Sequence, residues 1–261
     1  MTVGVVIKCS EGIVLACDSL STFGRGVSIS KYQKKMHVIE GQELAYPVAF
    51  TGAGIGAYVD KFMYRMNRGG LASAMQRYGR PLDVIDFAEG VCENLVTVLF
   101  KEYEIDRRRF LDTPVPQFDL MLIFAGQTHS GNLRAFIAYP DGLTENIDQY
   151  GTIGSGAAYA ELFLRDLGFV EDEIDLTDAA GLAVYAVQGA AIIDPSVGGT
   201  INALMISQEK GGLVIKPFDD ADILAKKAKQ EIYDLLHEMG IKMRKLVKGE
   251  STLKKLRLAR K

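Results

Sequence analysis

Apolar and polar positions fall in blocks along this chain. Val3–Cys9 and Ile13–Cys17 are apolar, β-rich runs joined by Ser10-Glu11-Gly12, which predicts a β-hairpin near the start. Lys35–Ile39 and Tyr46–Phe50 predict a second strand pair around Gly41, and Gly54–Asn67 reads as a helix. Pro81 opens a longer helix in the first-turn position that proline tolerates, with Val84, Phe87, Ala88, Val91, Leu95 and Val98 on one face at three- and four-residue spacing. Leu120–Ala125 and Leu133–Tyr139 predict strands, and Glu145–Gly151 a further one. Ser155–Leu167 predicts a helix closed by Gly168, and Thr177 caps another that runs to about Ile193. Ile201–Ile206 and Leu213–Ile215 predict a late hairpin around Gly211-Gly212. Asp219–Met239 reads as an amphipathic helix with Ile223, Leu224, Ala228, Ile232 and Leu235 on one face.

Strands come in runs instead of alternating singly with helices. This favours antiparallel sheets with helices packed outside over a doubly wound parallel sheet. The chain has 261 residues, 48% of them hydrophobic and 24% charged, enough for one large α/β domain or two small ones. No internal repeat or low-complexity linker interrupts it. No apolar run approaches the roughly 18–20 residues of a membrane span, and no basic-then-apolar leader stands at the N-terminus. A cytoplasmic protein is the expectation.

Cys9, Cys17 and Cys92 are odd in number and far apart, which argues against a disulfide framework or a metal cluster. His37, His129 and His237 have no carboxylate or cysteine at ligand spacing. The net charge of −3 is uneven: Ile241–Lys261 carries nine Lys/Arg and one acid, a local +8, so the rest carries −11. Such a tail reads as a solvated helix or an arm for an acidic partner. Nucleic acid is disfavoured, since no aromatic residue is interleaved for stacking. Gly52-Ala-Gly54-Ile-Gly56 after a strand lacks the Gly-X-Gly-X-X-Gly spacing of a dinucleotide loop. The stripe within Leu82–Phe100 is a core face first and a partner face second.

Histidine is scarce, so nucleophilic chemistry needs another base. A small second residue permits removal of Met1. That leaves Thr2 with a hydroxyl and a free α-amine, whose ordinary pKa of about 7.7–8.0 suits a general base. Asp18 ends the second predicted strand and Lys35 begins the next; a buried lysine beside the hydroxyl, balanced by a carboxylate, would polarise it.

The segment TVGVVIKCSEGIVLACDS, Thr2 to Ser19, resembles the start of mature proteasome β subunits, members of the N-terminal-nucleophile (Ntn) hydrolases. KYQKKMHVI resembles the family's lysine pair before a strand, with Lys35 in the catalytic position and one residue inserted in Phe23–Ser30. AFTGAG resembles the oxyanion segment and implies Gly52 as the N–H donor. IGSGAAYA and DPSVGG resemble the segments that carry the supporting Ser155 and Asp194. Aligning the glycines puts Val197 in the place of a further supporting serine, with Ser196 beside it. The match spans about Thr2 to Ile206, five segments in order, leaving 241–261 as a basic extension to a domain of residues 1–240.

The resemblance implies an α+β, four-layer αββα sandwich. It implies catalysis by Thr2, Asp18, Lys35, Gly52, Ser155 and Asp194, without metal or organic cofactor. Around the substrate it implies Ser21, Thr22, Phe50, Gly52 and Gly54, with Gln33 and His37 near the same pocket. The implied function is threonine-type endopeptidase activity on peptides or unfolded proteins within a homo-oligomeric ring, with α-type subunits or an ATPase unfoldase as possible partners. A silent structural subunit, and an amidase or peptide ligase on the same scaffold, are the alternatives.

Overall fold

The computed structural model describes residues 2–23, 29–109, 119–166, 174–234 and 237–238. The basic stretch 241–261 and the helix stop expected at Gly168 lie outside them.

Two five-stranded antiparallel sheets face each other. The first has the order β10-β1-β2-β11-β12, from β1 (Gly4–Cys9), β2 (Gly12–Asp18), β10 (Tyr150–Ile153), β11 (Ile201–Glu209) and β12 (Gly212–Pro217). The second has the order β5-β6-β7-β8-β9, from β5 (Met36–Ile39), β6 (Val48–Gly54), β7 (Leu120–Gln127), β8 (Leu133–Ala138) and β9 (Thr144–Asn146). A two-stranded ribbon, β3 (Leu20–Phe23) with β4 (Ile29–Tyr32), bridges them in sequence.

Strand periodicity sorts the side chains into three cores. Val6, Ile13, Leu15 and Cys17 of the first sheet meet Ala49, Ile123, Ala125 and Ile137 of the second between the sheets. The outer face of the first sheet packs against α5 (Ala157–Asp166), α6 (Leu176–Ile193) and the helix over 221–234. The outer face of the second sheet packs against α1 (Gly56–Arg65), α2 (Leu71–Tyr78), α3 (Val84–Asp86) and α4 (Asn94–Arg109). The result is the expected αββα sandwich.

Several local expectations are corrected. The strand expected at Glu145–Gly151 is two: β9 closes the second sheet, and the chain then crosses to β10 on the first. The long helix starts at Val84, not Pro81, because Asp83 and Asp86 form a reciprocal capping box there. Between α3 and α4 the helix is π-wound over Phe87–Glu93, which adds a residue to the turn. The buried stripe therefore slips by one: Val96 and Leu99 are buried where 3.6-residue spacing predicts Leu95 and Val98, and Val98 is 41% exposed. Asp175, not Thr177, caps α6 by accepting from the Asp178 N–H. α6 has 18 residues and a mean hydropathy of 1.4, so one helix does meet the length and composition of a membrane span. Here its Ala- and Val-rich face covers the first sheet. In the last helix Ala221, Ala225, Ala228 and Ile232 are buried, while Ile223 faces outward.

Candidate active site

The site forms where the two sheets end side by side. In the β1–β2 hairpin Gly4 pairs with Cys17, so Asp18 lies across from Val3. The Asp18 N–H donates to the Val3 carbonyl at 3.3 Å, and the Val3 N–H donates to Asp18 Oδ1 at 3.0 Å. This fixes Thr2 next to Asp18. Lys35 enters from the other sheet, immediately before β5, and its Nζ donates to Thr2 Oγ1 at 2.5 Å and to Asp18 Oδ1 at 2.9 Å. It also donates to the Leu20 carbonyl. An ammonium has three N–H bonds and no lone pair, so the Thr2 oxygen must act as acceptor and its own hydrogen points elsewhere.

The three side chains are withdrawn from water: Thr2 is 4% exposed, Asp18 0% and Lys35 8%. Burial pushes the Asp18 carboxyl up, while the Lys35 ammonium and the N–H groups of Gly198 and Val3 pull it back. Gly198 donates to Asp18 Oδ2 at 3.1 Å, and its carbonyl accepts from the N–H groups of Ser19 and Leu20 at 3.2 and 2.9 Å. Among the described residues the groups aimed at Asp18 are the N–H groups of Val3 and Gly198 and the Lys35 amine, all donating, which matches a carboxylate.

Glycines shape the rest. Gly154 has φ +91°, and a Cβ on it would stand 2.1 Å from the Thr2 carbonyl oxygen. The Gly156 N–H donates to that same oxygen at 3.4 Å. Ser155 is thereby held beside Thr2. Its hydroxyl is 3.4 Å from that of Ser196, whose Oγ and N–H donate to Asp194 Oδ1 at 2.5 and 2.9 Å. For the Asp194 carboxyl burial acts upward, but the hydrogen bonds from Ser196 and Ser155 outweigh it and hold the group below its ordinary range. Val197 is buried on the apolar side instead, against Gly156, so Ser196 and not residue 197 supplies the hydroxyl.

Gly52 lies on β6 one residue past Thr51, the last β6 position paired with β5. Continuing that register puts Gly52 opposite Lys35. Thr2, Lys35, Gly52 and Ser155 all line one cavity of about 920 Å³, together with Ser21, Gln33, His37 and Gly54. α1 contributes Val59, Asp60 and Met63 to its wall, and β7 contributes Met121. Phe50, expected on this wall, is 1% exposed in the core under the second sheet. It acts from behind, stacked on the His37 ring at 5.0 Å and 18°. Burial, then the Lys34 charge, lowers the His37 pKa. The backbone of Thr22 belongs to β3 opposite Ser30. Gly54 has φ +108° and turns β6 into α1, with the Asp119 carbonyl 2.1 Å from where a Cβ would be. β6 runs antiparallel to both neighbours, so Gly52–Gly56 opens no βαβ unit.

The cysteines offer no rival nucleophile. Burial pushes Cys17 up to about 12 and raises Cys9 and Cys92. Among the described residues Asp83, Asp86 and His129 bring ligand-type atoms within 4.8 Å. Their oxygens are engaged by the N–H groups of Ile85, Asp86 and His129 and by Arg80. This group ties the α3 terminus to the β7–β8 turn, a long-range meeting invisible to sequence spacing.

The proteasome subunit family model matches residues 2–206. The chain belongs to the proteasome subunit family. Among its relatives is the proteasome subunit beta 2 of Pyrobaculum arsenaticum, 28% identical over 204 residues, covering 78% of this chain and 88% of the relative. The fold is similar to that of Anbu from Hyphomicrobium sp. strain MC1, solved as a Gly-1 mutant, with a TM-score of 0.71 at 20% identity over 93% of this chain and 97% of that one. Anbu from Yersinia bercovieri, described as an ancestral beta-subunit, gives 0.68 at 18% identity over 92% and 97%. These likenesses bear on the fold, that of a proteasome-like Ntn sandwich.

Sequence reasoning did not find three parts of this family site: the Leu20 carbonyl as third acceptor for Lys35, the Gly198 N–H on Asp18, and Gly154 under Thr2. Backbone groups leave no side-chain signature. The Gly198-Gly199 pair and the Gly154-Ser155-Gly156 stretch were the cues, each marking a turn without saying what the turn faces.

Proposed function

We propose that this chain is a threonine peptidase of proteasome β type, with Thr2 as nucleophile once Met1 is removed. One observation carries the reading: Lys35 Nζ lies 2.5 Å from Thr2 Oγ1 while Asp18, fully buried, balances the ammonium. A cation there favours alkoxide character on the hydroxyl. The freed α-amine takes the hydroxyl proton as Oγ1 bonds to the peptide carbonyl carbon. The Gly52 N–H stabilises the resulting oxyanion. The amine proton then passes to the leaving nitrogen as the C–N bond breaks, and water hydrolyses the ester by the same route in reverse. An amidase or a peptide ligase differs only in substrate, or in using an amine in place of that water.

Family membership supports assembly into a ring that encloses the cavity, with unfolded chains as substrates. Three free, buried thiols suit a reducing cytoplasm. The test is intact mass before and after a threonine-directed epoxyketone or β-lactone, with Thr2→Ala as control. Loss of Met1 and one adduct absent from the control is the expected result. Retained Met1 without an adduct overturns the reading in favour of a silent scaffold.

A further inference from the structure

We propose that Asp60 sets the substrate class of this site: the cavity beside Thr2 takes a lysine or arginine side chain, carried by the residue whose carbonyl is attacked. This rests on the reading of Thr2 as nucleophile. The charges around the cavity carry the inference. The attacked carbon must sit at Thr2 Oγ1 with its oxygen toward the Gly52 N–H, so the adjoining side chain enters beside Gly52. α1 walls that place: a Cβ on Gly52 would stand 3.1 Å from Val59 Cγ1. Gly56, Asp60 and Met63 share one face of this helix at four- and three-residue spacing, and all three line the cavity. Val59, Met63 and Met121 offer apolar surface and Asp60 a carboxylate, the two chemistries that a long cationic side chain needs for its stem and its head. A Cβ on Gly56 would meet nothing within 4 Å, which leaves room for the length of such a side chain.

Asp60 is available for this task. It is exposed, and no described residue forms an ion pair with it. The cations nearest to it along α1 are spent elsewhere: Lys61, at 2.8 Å, and Arg65 both bind Glu102 of α4. Asp119, just before β7, adds a second acid to the cavity wall. On the other side of the ledger Lys35 is balanced by Asp18, and the α-amine is neutral in the form that acts as base. Burial, then the Lys34 charge, keeps His37 neutral at neutral pH, and the Asp60 charge is felt there in the opposite sense. Lys34 is then the remaining cation among the lining residues. Two acids against one base leave the cavity with one net negative charge. An acidic side chain would meet repulsion there, and an apolar one would leave the Asp60 carboxylate unused.

The experiment is the rate of Thr2 labelling of the full chain, followed by intact mass, with three peptide epoxyketones that differ only in the side chain next to the reactive group: lysine, leucine or glutamate. Wild type, Asp60→Asn and Asp60→Lys are compared at about pH 7.5 and low salt, where charge effects are least screened. Each result is read as a ratio of rates within one variant, which cancels any general change in reactivity. Wild type is expected to favour lysine over leucine by about 10-fold, the low end for a hydrogen bond to a charged group. Asp60→Asn brings that ratio close to one, and Asp60→Lys puts lysine below leucine and glutamate above it. Thermal unfolding of each variant checks that the fold is kept. Wild type labelled by none of the three probes sinks the nucleophile assignment and this inference with it. Wild type that labels with leucine but no faster with lysine, or fastest with glutamate, sinks this inference alone, as does a lysine-to-leucine ratio that Asp60→Asn leaves unchanged.

Discussion

Replacing Lys35 by methionine removes one charge while keeping most of the volume, and so isolates the buried pair at the centre of the site. Asp18, 0% exposed, would keep its two backbone donors but lose its cation. Breaking a buried pair by removing one partner costs about 3–5 kcal/mol, because the remaining charge stays desolvated. Protonation offers Asp18 an escape. Its folded-state pKa is already raised by burial, and losing the ammonium raises it further. An acid with a raised folded pKa favours folding below its unfolded value near 3.9, and that advantage is lost as pH rises through the folded pKa. The variant should therefore match wild type closely near pH 4 and fall behind by about 3–5 kcal/mol at pH 7 to 8. For a domain of this size that corresponds to roughly 6–20 °C in Tm. Urea titrations at several pH values, with Lys35→Met/Asp18→Asn to remove the orphaned charge, provide the assay. A pH-independent loss, or a double variant no more stable than the single at pH 8, would refute the account of Asp18 as an ionised, cation-balanced carboxylate.

Three other expectations follow from the geometry. Asp194 has a lowered folded pKa, so its contribution is present above the unfolded value near 3.9 and lost as pH falls through the folded one; Asp194→Asn should flatten this part of the acid limb in stability measured from pH 5 to 2. Gly154→Ala forces a Cβ onto the Thr2 carbonyl at a positive φ, which costs at least about 1–3 kcal/mol and should abolish epoxyketone labelling, read by mass and by thermal unfolding. Leu99→Ala should cost about 2–5 kcal/mol and Val98→Ala well under 1, measured by urea unfolding; equal costs would contradict the π-wound turn that rotates the helix.

Much of this molecule was legible in its residues, and the reasons differ by element. The β1–β2 hairpin declared itself through two apolar runs around one glycine, and its register made Asp18 a neighbour of Thr2. Lys35 was readable through resemblance alone, because a lysine beside a lysine carries no local sign of burial. The β9–β10 crossing was not readable: a change of sheet leaves period-two alternation intact on either side. Nor was the slip from Val98 to Leu99, since a π-turn changes the helix phase without a marker residue. Phe50 was assigned to the pocket by resemblance, yet its side chain lies on the face that packs against the helices. Ser196 stood next to the expected position, and the backbone turn at Asp194–Val197 decided which of the two residues turned its side chain toward the carboxylate.

The proposed nucleophile and its cation belong to different sheets: Thr2 leads into β1 and Lys35 into β5. A chain on which one sheet has formed and the other has not therefore holds a threonine with no more reactivity than any free hydroxyl. On the reading of Thr2 as nucleophile, competence requires the docking of the two layers. On the proposed reading the topology acts as a safety catch, one that would keep a half-folded copy inert toward unfolded chains around it, its own remainder included.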